Sequence, residues 1–152
     1  THAVSIVVRP STLFGPGRMN FCDQIVSCVT SGQAVEAFTD QVTSPTYTED
    51  LGEGLGALVA AVRRRSIASL PSRIFHLANT GSCSRLAFTH RVADLLGKPR
   101  MSIWGIRMAD QRRPAPRPPY SALTSDHVQP LIGRRLRPWD EALQAYLFRR
   151  HA

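Results

Sequence analysis

Lysine is nearly absent from this sequence. Lys98 is the only lysine among 152 residues, so the formal net charge of +8 at pH 7 comes almost entirely from arginine. Charged residues make up 20% of the chain and hydrophobic residues 43%. These proportions are typical of soluble globular proteins and exclude a disordered or collagen-like chain. A chain of this length can form one ordinary domain with its own core.

Long apolar segments are missing as well. No run approaches the roughly 20 apolar residues that a membrane-spanning helix needs, and the first ten residues lack the basic start of a secretory signal peptide. We therefore predict a cytoplasmic protein without a membrane partner. The chain opens without methionine and passes at once into an apolar run at residues 3–8, so we expect a fragment whose preceding residues are missing.

Cysteine is scarce, and Cys22, Cys28 and Cys83 form an odd set of three. Their spacing places the first two on different sides of a helix rather than in a metal clamp. The five histidines show no metal-ligand spacing either, and nothing resembles the Gly-x-Ser-x-Gly motif of a nucleophile elbow. We therefore predict free thiols in a reducing compartment and no metal site.

The hydrophobic pattern predicts strands that alternate with helices, and hence an α/β chain with few strands and several helices. Short apolar runs typical of strands lie at residues 3–8, 35–38 and 74–77. The first of them has the valine and isoleucine content of a strand buried on both faces. Helices are predicted for residues 20–30, from about 48 to 62, 85–96, 124–131 and 139–149.

Three glycines, Gly52, Gly54 and Gly56, lie inside the second of these helices. Each costs a helix about 1 kcal/mol relative to alanine, so their presence predicts a close approach of the helix backbone to a neighbour. They do not form a phosphate-binding loop, because that motif lies between a strand and the start of a helix.

Two irregular segments carry side chains suited to binding. Residues 112–124 combine four prolines with three arginines. Proline stiffens the backbone, and the planar arginine fork suits phosphate or carboxylate oxygens, so this segment is interpreted as an anion clamp. Residues 40–46 place a carboxylate, a carboxamide and hydroxyls on one loop, a combination that can bind sugar hydroxyls or a base edge. A basic surface loop and a self-bonded turn are the respective alternatives.

A family resemblance joins these segments. Residues 9–16, RPSTLFGP, resemble the strand and loop that follow the catalytic tyrosine and lysine in extended short-chain dehydrogenase/reductases. Asp40-Gln41 with Pro45-Thr46, residues 75–77 and residues 117–123 are similar in order and spacing to the carboxyl half of dTDP-4-dehydrorhamnose reductase-like members. The resemblance covers essentially the whole chain.

The resemblance implies an amino half that is a Rossmann domain and a carboxyl half that binds a nucleotide-linked 4-keto sugar. Hydride passes from NADPH or NADH to the C4 ketone, and a tyrosine whose pKa is lowered by a lysine donates the proton. The glycine-rich turn is absent here, and the single lysine has Asp94 four residues before it, so no Tyr-x-x-x-Lys pair exists. We expect residues 1–152 to be one substrate-binding domain without catalytic residues, inactive alone, with NADP or NAD bound mainly by the missing half.

Residue roles follow from the same resemblance. The predicted cofactor contacts, on the nicotinamide side, are Arg9, Pro10 and Ser11. The predicted substrate contacts are Thr12, Asp40, Gln41, Thr46, Arg117 and Ser121. Among these, Arg117 would face the pyrophosphate, where charge-assisted hydrogen bonds are strong. Thr12 and Tyr120 stand where the family usually carries tryptophan and asparagine.

The expected partner is a nucleotide-diphosphate sugar, and the helices could also pair two subunits into a homodimer. An epimerase or dehydratase, or a non-catalytic regulatory subunit like the methionine adenosyltransferase β-subunit, would share the scaffold. A nucleic-acid-binding module is a third alternative. Nucleic acid is not expected, because the arginine pairs are scattered without interleaved aromatic residues.

Overall fold

The computed structural model describes residues 5–64, 70, 72–112 and 114–151. Five α-helices form within that part of the chain: α1 (Phe21–Ser31), α2 (Thr48–Arg63), α3 (Arg85–Leu95), α4 (Gln129–Ile132) and α5 (Trp139–His151). The strands are short: β1 (Val7–Arg9), β2 (Leu13–Phe14), β3 (Val35–Phe38), β4 (Val42–Thr43), β5 (Thr46–Tyr47), β6 (Ile74–His76), β7 (Cys83–Ser84) and β8 (Ile103–Ile106). The predicted α/β class is confirmed.

The strands form four separate two-stranded sheets. The pairs β1–β6, β2–β5 and β3–β8 are parallel, and β4–β7 is antiparallel. Parallel neighbours require a crossover between them, so each parallel pair joins parts of the chain that are far apart in sequence. The sheets thereby hold the loops between helices in fixed positions.

The prediction that the first strand is buried on both faces is wrong. Val7 is 46% exposed, and its register partner Ile74 on β6 is 45% exposed. The next pair, Val8 with Phe75, faces the core. Because alternate side chains of a strand face opposite sides, this two-stranded sheet has one covered face and one open face. Residues 3 and 4 of the predicted strand lie outside the described residues.

Helix α1 confirms the prediction for residues 20–30, since its ends are fixed by capping residues. The Asn20 side chain accepts hydrogen bonds from the backbone N–H groups of Cys22 and Asp23, and Asp23 accepts in turn from the Asn20 backbone. This reciprocal pattern is a capping box. At the other end, Gly32 adopts a left-handed φ of 70°, which favours glycine.

Helix α2 lies where it was expected, but only one of its glycines makes a close contact. A Cβ atom added at Gly54 would lie 3.0 Å from a terminal carbon of Leu77 and 3.4 Å from one of Leu136. No atom of the described residues lies within 4 Å of the corresponding position at Gly52 or Gly56. The predicted close approach is confirmed for Gly54 and wrong for the other two.

Two elements differ from the sequence predictions. Strand β8 and the 3₁₀ turn Met108–Asp110 follow α3, where no strand was predicted. The helix predicted at residues 124–131 is reduced to α4, which ends at the left-handed Gly133. Helix α5 begins after Pro138, as expected.

Two hydrophobic clusters form the core. One surrounds Phe14, whose ring stacks on Tyr47 with 5.6 Å between centroids and meets Phe88 and Tyr146 edge-on at 5.8 and 5.7 Å. The other packs α2 and α4 against β6 around Phe75. The first cluster supports the loops that precede α1 and α2, because Phe14 and Tyr47 pair across β2 and β5.

Within the described residues, Cys22, Cys28 and Cys83 form no disulfide; Cys22 and Cys83 are buried and Cys28 is partly exposed. Over the described ranges, no helix is long and apolar enough to cross a membrane. Within the same ranges, no group of three or more histidine, cysteine, aspartate or glutamate side chains is placed to hold a metal ion.

Candidate functional site

The two segments singled out in the sequence lie side by side. The Val42 N–H donates to the Pro119 carbonyl at 2.7 Å, and the Ser121 N–H donates to the Val42 carbonyl at 2.9 Å. The Ser44 hydroxyl accepts from the Leu123 N–H at 3.1 Å and is 3.2 Å from the Leu123 carbonyl. Backbone hydrogen bonds therefore fix the arginine- and proline-rich segment against the loop at residues 40–47.

The opposite side of the same loop is fixed to the start of α3. Strand β4 pairs with β7 through Val42–Ser84 and Thr43–Cys83, and the Arg85 N–H donates to the Gln41 carbonyl at 3.1 Å. The Ser84 hydroxyl caps α3 by accepting from the Ala87 N–H at 3.1 Å. The first residue of α3 is thereby held beside Gln41.

These contacts frame a cavity of about 520 Å³, which we call the arginine cavity. Its volume lies in the range of small-molecule sites. It is lined by Phe21, Gln24, Ile25, Cys28, residues 34–38, Gln41, Arg85, Thr89 and Arg117. Gln41 and Arg117, both predicted as substrate contacts, thus lie on the same cavity.

The charged lining of the arginine cavity suits an anion. The Arg85 guanidinium carbon lies 4.0 Å from the centre of the Phe21 ring, a cation–π contact that orients it. Arg117 is exposed at the rim between Pro116 and Pro118, and Glu36 is the acidic side chain of the lining. Two guanidinium groups against one carboxylate favour phosphate oxygens, which arginine binds in a bidentate manner.

Residues 34–38, which include strand β3, line the arginine cavity. The Val35 N–H donates to the Ser102 carbonyl at 2.8 Å and the Thr39 N–H to the Ile106 carbonyl at 2.9 Å, so these residues bond to the β8 side. Alternate residues of a strand point their backbone groups to opposite edges. The N–H and C=O of Glu36 therefore point away from β8, at a residue that lines the cavity.

Other predicted substrate residues support this loop without lining the arginine cavity. The Asp40 carboxylate accepts from the Met108 N–H at 3.0 Å and so holds the turn after β8. Thr46 is fully buried, and its hydroxyl donates to the Ser44 carbonyl at 3.1 Å. The Ser121 hydroxyl lies 3.5 Å from the Val42 carbonyl. Their ligand contacts stay predictions.

The predicted cofactor residues lie where β1 ends. Arg9 and Pro10 are exposed, and the Ser11 hydroxyl accepts from the Ser44 N–H at 3.3 Å. The carbonyl of Thr12, a predicted substrate residue, accepts from the Thr46 N–H at 2.7 Å. This segment contacts the back of the loop at residues 40–47 rather than the arginine cavity, and its cofactor and substrate roles stay predictions.

Sequence reasoning missed Arg85 and Phe21. Arg85 opens a predicted helix, and Phe21 follows the cap of another. Neither position carries a local binding signal, because their meeting depends on the packing of α1 against α3 and on the β4–β7 pairing. Only the three-dimensional arrangement identifies them.

A second hollow, of about 490 Å³, lies on the other side of α1. We call it the tyrosine cleft. It is lined by Pro16, Gly17, Met19, Asp23, Tyr47, Glu49, Tyr146 and Arg149. Burial, aided by the nearby Glu49 carboxylate, raises the pKa of Tyr47, so this phenol stays protonated near neutral pH.

A family model for the RmlD substrate binding domain matches residues 1–151. The spore coat polysaccharide biosynthesis protein SpsK of Bacillus subtilis is 32% identical over 94% of this chain and 47% of that protein. A dTDP-4-dehydrorhamnose reductase of Streptomyces griseus is 31% identical over 90% of this chain and 44% of that protein. The chain thus spans about half the length of these relatives.

Solved structures share the fold. The dTDP-4-dehydrorhamnose reductase of Bacillus anthracis, solved in complex with NADP, superposes with a TM-score of 0.82 at 23% identity, over 97% of this chain and 50% of that one. The orthologue from Clostridium acetobutylicum gives 0.81 at 25% identity, over 97% and 49%. Their topology matches the carboxyl-terminal architecture expected from the sequence.

Proposed function

The chain belongs to the RmlD substrate binding domain family, and from that membership we propose that it is the substrate-binding half of an NAD(P)H-dependent sugar-nucleotide 4-ketoreductase. The observation that carries this proposal is the arginine cavity, in which Gln41, Arg85 and Arg117 meet. Two of these three residues, Gln41 and Arg117, are substrate contacts predicted from the sequence.

The arginine cavity offers contacts suited to each part of a nucleotide-diphosphate sugar. Arg85 and Arg117 offer guanidinium groups to the pyrophosphate. The backbone of Glu36 offers a donor and an acceptor to the edge of a base, while Phe21 supplies an apolar ring beside it. The Gln41 carboxamide can donate to or accept from a sugar hydroxyl. Together these groups orient the substrate and exclude water from one side of it.

We propose that the dinucleotide, NADP or NAD, is bound mainly by a preceding Rossmann half. Residues 9–11 leave the carboxyl end of β1, and in open parallel sheets ligands bind at that end of the strands. Arg9 is exposed there and is available to a dinucleotide phosphate. The bound dinucleotide would supply the hydride, whereas this chain positions the ketone-bearing sugar.

The domain organisation follows from the same proposal. The open face of the β1–β6 pair carries Val7 and Ile74, both nearly half exposed. Helices of the preceding Rossmann half would cover these side chains, as they cover the faces of parallel sheets. Residues 1–152 are then one substrate-binding domain that depends on the other half for catalysis.

Calorimetric titration of the full-length protein with thymidine diphosphate tests the proposal. Arg117→Ala removes a charged donor from the pyrophosphate site and should weaken binding by about 1.5 to 3 kcal/mol. Arg85→Ala should act in the same direction. Arg112→Ala is the matched control, because Arg112 is exposed on the same segment but does not line the arginine cavity. Equal affinities for Arg117→Ala and Arg112→Ala would contradict the assignment.

A further inference from the structure

Helix α1 separates the arginine cavity from the tyrosine cleft. Phe21, Gln24, Ile25 and Cys28 line the arginine cavity, whereas Asp23 lines the tyrosine cleft. Residues three, four and seven apart share one helix face, and a residue two positions away lies on the opposite side. A contact made at Asp23 therefore helps to fix α1, and with it the side chains on its opposite face that line the arginine cavity.

That contact comes from α5. The Tyr146 hydroxyl lies 2.6 Å from Asp23 Oδ1, the nearer of its two acceptors, and 3.2 Å from the Gly15 carbonyl oxygen in the loop before α1. Asp23 Oδ2 accepts from the Asn20 backbone N–H at 3.1 Å and from its side-chain amide at 2.8 Å. The Asn20 amide also donates to the Gly15 carbonyl at 2.9 Å. Asp23 and Tyr146 are both buried residues that border the tyrosine cleft, and hydrogen bonds between buried groups are electrostatically stronger than those in bulk water.

We propose that Tyr146 is a positioning residue for nucleotide binding, which acts by holding Asp23 and thus the first turn of α1 against the arginine cavity. This inference rests on the proposed function. Only a few contacts separate Asp23 from the proposed ligand. Phe21 begins the same helical turn, and the Arg85 guanidinium carbon lies 4.0 Å from the centre of its ring. A shift of this turn moves both the apolar wall and one of the two arginines.

The loss of the Tyr146 hydroxyl has a defined consequence at Asp23. A buried carboxylate that loses a hydrogen-bond donor is destabilised, and a movement of the first turn of α1 toward solvent would relieve this cost. Ligand affinity then falls because the arginine cavity is less well formed before binding.

Tyr47 provides a matched control in the same cleft. Its ring lies 5.7 Å from that of Tyr146, and both side chains are buried. The Tyr47 hydroxyl contacts Glu49 and Arg149, on α2 and α5, rather than α1. Tyr47→Phe thus removes the same group from the same environment without touching the wall of the arginine cavity.

The test is calorimetric titration of the full-length protein with thymidine diphosphate, with thermal unfolding of each variant measured in parallel. Tyr146→Phe should weaken binding by about threefold to tenfold, the equivalent of one hydrogen bond. Tyr47→Phe should stay within about twofold of the unaltered protein, as for substitutions without a specific effect. Asp23→Asn, which keeps the side-chain shape, should also weaken binding. It replaces Tyr146→Phe in the test if that variant folds poorly.

A double-mutant cycle separates positioning from general destabilisation. Gln24 lies on the α1 wall and Arg117 on the other side of the arginine cavity. The effect of Tyr146→Phe should be non-additive with Gln24→Ala and additive with Arg117→Ala. Equal losses of nucleotide affinity for Tyr146→Phe and Tyr47→Phe, or additivity in both cycles, would overturn this inference but leave the proposed function intact. Absence of binding by the unaltered protein would overturn the proposed function, and this inference with it.

Discussion

The two cavity arginines are held in different ways. The Arg85 side chain is partly buried, and the Phe21 ring under its guanidinium restricts its orientation. Arg117 is exposed, and its order comes from the flanking prolines and from the hydrogen bonds that fix Pro119 and Ser121 to Val42. Both arrangements reduce the conformational freedom lost on binding an anion.

Cys28 reports on occupancy of the arginine cavity. It is partly exposed and lines the cavity, so alkylation of Cys28 by iodoacetamide should slow down several-fold when thymidine diphosphate is bound. Peptide mass spectrometry of timed samples measures this rate.

The control for this experiment is Cys83. Its burial raises the pKa of the thiol to about 12, and the thiolate is the reactive form. Cys83 should therefore stay unmodified at pH 8 with or without nucleotide. Alkylation of Cys28 at the same rate in both conditions would show that the nucleotide binds elsewhere.

At the scale of elements, the glycines of α2 predict a difference between two otherwise identical substitutions. Gly56→Ala should raise the free energy of unfolding by about 0.5 to 1 kcal/mol, because alanine is the better helix former and no described residue lies within 4 Å of its Cβ position. Gly54→Ala should give no gain or a loss, since its Cβ would press on the fully buried Leu77. Urea unfolding of the two variants measures both values, and an equal gain for both would contradict the packing at Gly54.

Helices α1, α2, α3 and α5 were predictable because their signals are local, whereas α4 is shorter than predicted. Asn20 and Gly32 mark the ends of α1, and the hydrophobic stripe of α2 needs no knowledge of its neighbours. Strand β8 was missed, because four residues that include Gly105 carry too little periodicity to distinguish a strand from a loop. It forms through its parallel partner β3, a contact that the sequence does not encode locally.

The same distinction applies to the candidate site. Gln41 and Arg117 were found because each lies in a segment of unusual composition, rich in polar side chains or in arginine and proline. The inclusion of Arg85 depends on the β4–β7 register, and the burial of Thr46 depends on its pairing with Leu13. Composition predicted the chemistry of the site, whereas the full set of residues that form it could be identified only from the fold.

At the scale of the whole molecule, α5 connects the parts that surround the site. Arg137, just before α5, makes a double hydrogen bond to the buried Asp50 of α2, with the shortest distance 2.6 Å. Trp139 stacks on Phe88 of α3 with 5.7 Å between ring centres, and Tyr146 holds α1. Helix α5 and the residue Arg137 before it thus contact α1, α2 and α3, whose first turns lie near the arginine cavity or the tyrosine cleft.

The net charge of +8 leads to a prediction about the whole surface. Within the described part of the chain, several arginines pair with carboxylates, as Arg100 does with Asp94 and Arg134 with Glu53. Binding to arbitrary duplex DNA should therefore be undetectable at physiological salt in a fluorescence anisotropy titration. Tight binding that falls steeply as salt increases would instead favour a nucleic-acid-binding module.

The bonds that Val42 makes to residues 119 and 121 also determine when the site can form during folding. These hydrogen bonds close a loop of nearly eighty residues, as the 79-residue separation between Val42 and Ser121 shows. Contacts of such long range carry a large loop-closure entropy and form slowly. During synthesis, Val42 is made nearly eighty residues before Ser121, so the loop at residues 40–47 precedes the segment that holds it in place. A nascent chain would therefore lack nucleotide binding until the segment after Pro119 has been made and has docked.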